Sequence, residues 1–264
     1  MRPDVKETIT FSFGENWLAY LTDFDQQRFN EARASVVQLL DADNLNGRSF
    51  LDIGFGSGLF SAVAVSLQAG DVTSVDIDPK SVEAACRLRS SIGDPANWTV
   101  LSGSILDADF TSRLGPADVV YSWGVLHHTG NMWQAIANTC SLVNPGGQLV
   151  LAIYNRTRLW RFWLAFKRAY NRGGGAVKAL LVWFLLVPRL LARLLLRKPL
   201  SGIGRGMSLY HDAVDWAGGL PYECAAFEEI AEFCTRKGFV LVRCVRTNSS
   251  GCNQYVFRKA APQA

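Results

Sequence analysis

Only three of the 264 residues are histidine, and the six cysteines (Cys86, Cys140, Cys224, Cys234, Cys244 and Cys252) never fall into a Cys-x-x-Cys pair. No zinc-ligand spacing exists, so no metal centre is expected, and the thiols read as reduced residues of a cytoplasmic protein. The leading Arg2-Pro3-Asp4-Val5-Lys6-Glu7 lacks the apolar run of a signal peptide. No period recurs, which excludes collagen-like and repeat architectures. Charge is scarce at 19% against 49% hydrophobic residues, which excludes disorder as the main state. Acid is the most unevenly missing. Asn155 to His211 holds twelve Lys/Arg and no Asp/Glu, although the whole chain carries only +4. A strongly basic segment therefore sits inside an otherwise acidic protein, which bears on partners.

What is present suits one large α/β domain, or a domain of common size with an insertion. Residues 1–47 read as a helical lead-in, with Phe13 to Trp17 ahead of a stretch carrying Phe29, Val36, Val37, Leu39 and Leu40. From Ser49 the pattern alternates, with strands expected at 49–53, 72–76, 98–102, 118–122 and 147–153 and helices near 57–69, 79–92 and 131–143. Asp78-Pro79 opens the second of these helices, as N-cap and first-turn proline. Such alternation implies a parallel sheet with right-handed crossovers. Residues 155–222 then break the pattern as a basic, apolar insertion. A helix near 223–236 and strands near 238–246 and 252–258, close enough to pair antiparallel, complete the chain.

The first strand runs into Asp52-Ile53-Gly54-Phe55-Gly56-Ser57-Gly58 and a helix. A strand, a glycine turn and a helix N-terminus hold a ligand against exposed backbone N–H groups, although a purely structural turn also explains the loop. A dinucleotide fingerprint needs glycine at position 59, where Leu59 stands. The second strand ends at Asp76, about twenty residues on. A carboxylate there accepts two hydrogen bonds from a ribose diol. Asp78, rather than Asp76, better meets the alternative role of capping a helix.

These segments resemble, in order, the class I S-adenosylmethionine-dependent methyltransferases, including the small-molecule O-methyltransferase group of ubiquinone biosynthesis. Three further stretches carry the resemblance: Leu101-Ser102-Gly103-Ser104-Ile105, Asp118 to His128, and Asn144-Pro145-Gly146-Gly147. The match covers roughly 49–153 and, more weakly, 223–258. It implies a Rossmann-like, seven-stranded, mostly parallel sheet with the last strand antiparallel and helices on both faces. Residues 48–154 would be the S-adenosylmethionine-binding core and 223–264 its C-terminal part. Gly54, Gly56 and Gly58 would pass the methionine part of the donor, and Asp52 would orient its ammonium. Asp76 would take the ribose, with Ile77, Ser104 and Ile105 beside the adenine, and Ser122 and Trp123 near the sulfonium. The (D/N)PP(Y/F) motif of enzymes that methylate nucleobase or glutamine amines is missing, which argues against those substrates.

An alcohol acceptor must lose a proton. His127 and His128 follow the fourth strand where the acceptor belongs, and His211 is a rival base. Either of the first two also reads as a structural residue. Tyr154 and Asn155 leave the fifth strand at its functional edge, and the turn Ser250-Gly251-Cys252-Asn253 would face the same acceptor, or serve simply as a hairpin turn. In the insertion, Arg158, Arg161, Arg168 and Arg172 share one helical face, and Arg189, Arg193 and Arg197 repeat every four residues. Four readings stay open for 156–200. A transmembrane span is opposed by Lys178, Pro188, Arg189 and Arg193. The others are an interfacial helix on an anionic membrane surface, a lid or homodimer contact, and a nucleic-acid surface that the Leu/Val/Phe content disfavours. The acceptor is therefore expected to be small and lipophilic. A nicotinamide-dependent oxidoreductase and a non-catalytic donor-binding module at a membrane remain as alternatives.

Overall fold

The computed structural model describes residues 26–197 and 209–261, without the side chain of His211. The Phe13 to Trp17 stretch lies outside them. The elements are α1 (Gln26–Leu40), β1 (Phe50–Ile53), α2 (Leu59–Ser66), β2 (Val72–Asp76), α3 (Pro79–Ser91), β3 (Trp98–Ser102), α4 (Ala108–Arg113), β4 (Ala117–Trp123), α5 (Met132–Ser141) and β5 (Val143–Tyr154). The insertion supplies α6 (Trp160–Arg172), α7 (Gly175–Leu195) and α8 (Leu209–Gly218). Then come α9 (Phe227–Arg236), β6 (Phe239–Val245) and β7 (Cys252–Lys259).

The seven strands form one sheet in the order β3-β2-β1-β4-β5-β7-β6. β7 runs antiparallel to both neighbours and the remaining pairs are parallel. The fold expected from the resemblance is the fold observed. Alternation along the strands feeds two apolar layers. Leu51, Ile53, Leu149, Leu151, Tyr255 and Phe257 pack against α5 and α9 on one face. Phe50, Tyr121, Val150 and Val256 pack against α1, α2 and α3 on the other. Each large apolar side chain buried this way contributes roughly 1.5–3 kcal/mol. Asp78 caps α3 by accepting from Lys80 N at 2.9 Å, with Pro79 at the first turn. The short helix α4, absent from the sequence reading, is capped by Asp107, which accepts from Asp109 N and Phe110 N.

The insertion builds a small core of its own. Phe166 and Tyr170 of α6, Val182, Leu185 and Leu186 of α7, and Leu209, Ala213 and Ala217 of α8 bury one another. This three-helix unit roofs the C-terminal edge of the sheet, beside the point where strand order reverses between β1 and β4. That crevice is where open α/β sheets bind ligands.

Candidate active site

A single cavity of ≈ 1210 Å³ runs from the β1–β2 edge to beneath the roof. It exceeds the ~300–1,000 Å³ typical of a one-ligand site, so it has room for two molecules side by side.

One end is formed by the glycine loop and the tips of β2, β3 and β4. Gly54, Gly56 and Gly58 all adopt positive φ, at 73°, 59° and 80°. A Cβ on Gly54 would lie 2.3 Å from Val125 Cγ1, and one on Gly58 would lie 2.9 Å from Ala85 Cβ. Gly54 and Gly56 line the cavity. Gly58 instead lets α2 approach α3. Asp76 receives Gly56 N–H at 3.0 Å on one carboxylate oxygen and Asp78 N–H at 2.9 Å on the other. Burial nevertheless pushes its carboxyl up to about 6. Asp52 is buried at the end of a directed chain. Trp98 Nε1 donates to Ser74 Oγ (2.8 Å), Ser74 to Ser61 Oγ (2.7 Å), and Ser61 to Asp52 Oδ2 (2.6 Å). Desolvation raises Asp52 to about 7, against the Ser61 hydrogen bond and reinforced by the charge of Asp76. Two acids in a largely apolar cleft suit a ligand that carries hydroxyls and cationic groups. Ile77, Ser104, Ile105 and Trp123 also line this end. Ser122 does not. It is buried, and its hydroxyl donates to the Ile53 carbonyl at 2.9 Å, tying β4 to β1.

The other end is walled by Leu159, Trp163, Phe184, Leu185, Pro188, Trp216 and Leu220. The two histidines separate here. His128 lines the cavity, and its Nδ1 lies 2.7 Å from the Pro221 carbonyl, a contact that places the proton on Nδ1 and the basic lone pair on Nε2. Burial, then the charge of Lys167, pushes His128 down to about 3. His127 is fully buried and off the cavity. Its ring packs 3.9 Å from that of Tyr154, its Nε2 has no partner among the described residues, and burial holds it neutral. Tyr154 lines the cavity, and burial pushes its phenol well up. Asn155 and Asn253 do not reach the cavity. Asn155 Nδ2 donates to the Thr247 carbonyl (2.8 Å) and the Ser249 carbonyl (3.1 Å). Asn253 donates to Asn155 Oδ1 (3.2 Å) and accepts from Thr247 N (2.9 Å). They pin the β6–β7 turn, and the backbone and small side chains of Ser249, Ser250, Gly251 and Cys252 face the cavity instead.

Three polar residues at this end escaped the sequence reading. Asp212 and Asp215 on α8 line the cavity with Arg189, whose Nη1 lies 2.8 Å from Asp212 Oδ2. Burial raises the Asp212 carboxyl, and Arg189 opposes that shift. Lys167 is fully buried behind the wall. Its Nζ donates to the Trp216 carbonyl and lies 4.4, 5.0 and 5.4 Å from the ring centres of Trp216, Tyr222 and Tyr154. Desolvation lowers it to about 7. Its signal was spacing: Lys167 falls four residues after Trp163 and three before Tyr170, on the apolar side of α6. Among the described residues no cluster of three metal-ligating side chains occurs.

A family model described as "Methyltransferase domain" matches residues 24–197, more than half of the chain. The chain belongs to the methyltransferase-domain family. The donor of this family is S-adenosylmethionine, and the nicotinamide alternative falls away. The methyltransferase is 38% identical over 121 residues to the ribosomal protein L11 methyltransferase of Azotobacter vinelandii, covering 45% of this chain and 38% of that relative. It thus spans well under half the length of that curated relative. In fold it is similar to the magnesium protoporphyrin IX methyltransferase of Synechocystis PCC 6803 with bound SAH, at TM-score 0.57 and 16% identity, over 93% of this chain and 94% of that one. It is also similar to the N-methyltransferase NodS of Bradyrhizobium japonicum WM9, at TM-score 0.52 and 16% identity, over 89% and 98% of the two chains.

Proposed function

We propose that this methyltransferase transfers a methyl group from S-adenosylmethionine to a hydroxyl of a small, lipophilic acceptor in the cytoplasm. The observation that carries this reading is the apolar wall of the acceptor end, from Leu159 to Leu220, in a cavity large enough for two ligands. The donor, when bound, supplies a methyl group already activated on a sulfonium. The protein's task is therefore alignment, exclusion of water and removal of a proton. Asp76 accepts the ribose hydroxyls, and Asp52 faces the ammonium as its counter-charge. The α6–α8 roof excludes water. His128, kept neutral by burial and oriented by the Pro221 carbonyl, accepts the acceptor's proton on Nε2. The free thiols of all six cysteines support the cytoplasmic placement.

A protein acceptor is the second reading, favoured by the ribosomal protein L11 methyltransferases among the relatives. An assay with isotopically labelled methyl donor in a cell extract separates them. Label that partitions into organic solvent supports the lipophilic acceptor, and label that precipitates with protein supports the other. Donor that binds but passes its label to no fraction means a binding module without turnover.

A further inference from the structure

The outer face of the roof is apolar where a soluble surface is normally charged. On α7, Val177, Leu180, Trp183, Phe184, Val187, Leu191, Leu194 and Leu195 are 43–83% exposed. At 100° per residue they fall within an arc of about 120°. This is one continuous stripe, and no charge interrupts it. Of the Arg189, Arg193 and Arg197 repeat, only Arg197, beyond the end of α7, is exposed. Arg189 turns inward to Asp212, and Arg193 lies on the same inner side by the helical count. That side carries the buried Val182, Leu185 and Leu186. The apolar face continues onto α6. Phe162, 51% exposed, and Phe184 both pack on Phe166, at ring separations of 6.4 and 5.9 Å. Arg158, just ahead of α6, and Arg161, Arg168 and Arg172 on it are exposed beside this face, and no acidic residue occurs between Asn155 and His211. Leu159, 60% exposed, and Phe184 also line the cavity, so the stripe runs into the cavity mouth.

We propose that the α6–α7 face docks on an anionic lipid surface, with the apolar stripe in the acyl boundary, the α6 arginines among the headgroups, and the cavity mouth at Leu159 and Phe184 opening toward the lipid. An apolar acceptor then passes from bilayer to cavity without crossing water. This deepens the reading of a lipophilic acceptor and rests on it. A patch of this size and uniformity marks an interaction surface. The basic flank selects a lipid surface over a second copy of this chain, whose own α6 would bring like charges together. By length and composition α7 is long enough to cross a membrane. Its inner face, however, is committed to α6, α8 and Asp212, so it lies flat on the bilayer.

The test is flotation of the whole protein with vesicles of phosphatidylcholine and phosphatidylglycerol, compared with phosphatidylcholine alone. Binding is expected to be tighter to the anionic vesicles. A variant carrying Leu180→Gln, Leu191→Gln and Leu195→Gln, all exposed and off the cavity, loses about a hundredfold or more in vesicle affinity. It keeps wild-type affinity for S-adenosylhomocysteine, which shows that it folds. Brominated lipids quench the protein's tryptophan fluorescence, and Trp183→Phe removes much of that quenching. Four results overturn the proposal: no flotation of the wild type, unchanged flotation of the triple variant, retention after alkaline carbonate washing, or a dimer that the triple variant dissociates. Flotation needs neither donor nor acceptor, so its failure leaves the methyl-transfer reading standing, and failure of the labelling assay leaves docking standing.

Discussion

Donor binding is expected to depend steeply on pH between 5 and 7, because both acids at the donor end are poised there. Burial holds Asp76 near about 6 and Asp52 near about 7 in the protein without ligand. A bound donor that places its ribose on Asp76 and its ammonium by Asp52 requires both carboxylates ionised. At pH 5 that form is on the order of one molecule in a thousand, and at pH 7 close to half. Affinity for S-adenosylhomocysteine should therefore rise on the order of 500-fold over this range, about 3–4 kcal/mol at 1.36 kcal/mol per unit. Binding at pH 6.5 should release about one proton, mostly from Asp52. Calorimetry in buffers of different ionisation enthalpy reads that proton directly. The same raised values work on stability with a definite sign. The folded, ligand-free protein holds protons that the unfolded chain has lost above the ordinary value of 3.8. Stability should thus be gained as pH falls from about 7 toward about 4, and lost on the way up. Affinity flat from pH 5 to 7, with no proton released, would refute the pairing of both acids with the donor.

Three other outcomes are expected. Asp76→Ala should weaken donor binding by about ten- to a hundredfold, the worth of a charge-assisted pair of hydrogen bonds, and wild-type affinity by calorimetry would take Asp76 out of the site. S-adenosylhomocysteine at about a hundred times its dissociation constant should add roughly 2.7 kcal/mol of stability and raise the melting temperature, whereas NAD should not; the reverse ranking in a thermal scan contradicts the donor assignment. His128→Ala should lower turnover by about 100- to 10,000-fold with donor binding near normal. Because burial and Lys167 push His128 to about 3, the rate profile should carry no step near the free-histidine value of about 6.5, and a step there that His128→Ala abolishes would mean the ring is solvated during turnover.

The sheet and donor end were legible because they rest on local signals. Alternating apolar residues mark the strands, Asp78-Pro79 marks a helix start, and three glycines mark a loop that needs positive φ. Residue type at a strand tip was enough to put Asp52, Asp76 and Trp123 on the cavity wall. It failed where a side chain has a second option. Ser122 stands in the right strand but spends its hydroxyl on Ile53, and Asn155 and Asn253 spend their amides on each other and on the β6–β7 turn. Neighbouring histidines look equivalent in sequence. The turn after β4 sends one into the interior and one to the cavity. The roof was least legible. The four-residue repeat of Arg189, Arg193 and Arg197 suggests a cationic face, yet Asp212, more than twenty residues further along the chain from Arg189, turns that arginine inward. Only the tertiary pairing of α7 with α8 shows that the outward stripe is apolar.

The chain from Trp98 to Asp52 has a direction. An indole N–H can only donate, each serine hydroxyl passes its own hydrogen onward, and the ionised Asp52 carboxylate is at the receiving end. Burial dominates the acidity of Asp52, but the Ser61 hydroxyl that opposes it is oriented from β3, two strands away, by a side chain off the cavity. Trp98 lies in the apolar layer under α2 and α3 and looks like filler. A redesign that swapped it for phenylalanine to tighten packing would leave Ser74 and Ser61 able to turn around. The pH at which the protein takes up its donor would then move upward, although nothing in the cavity had been altered.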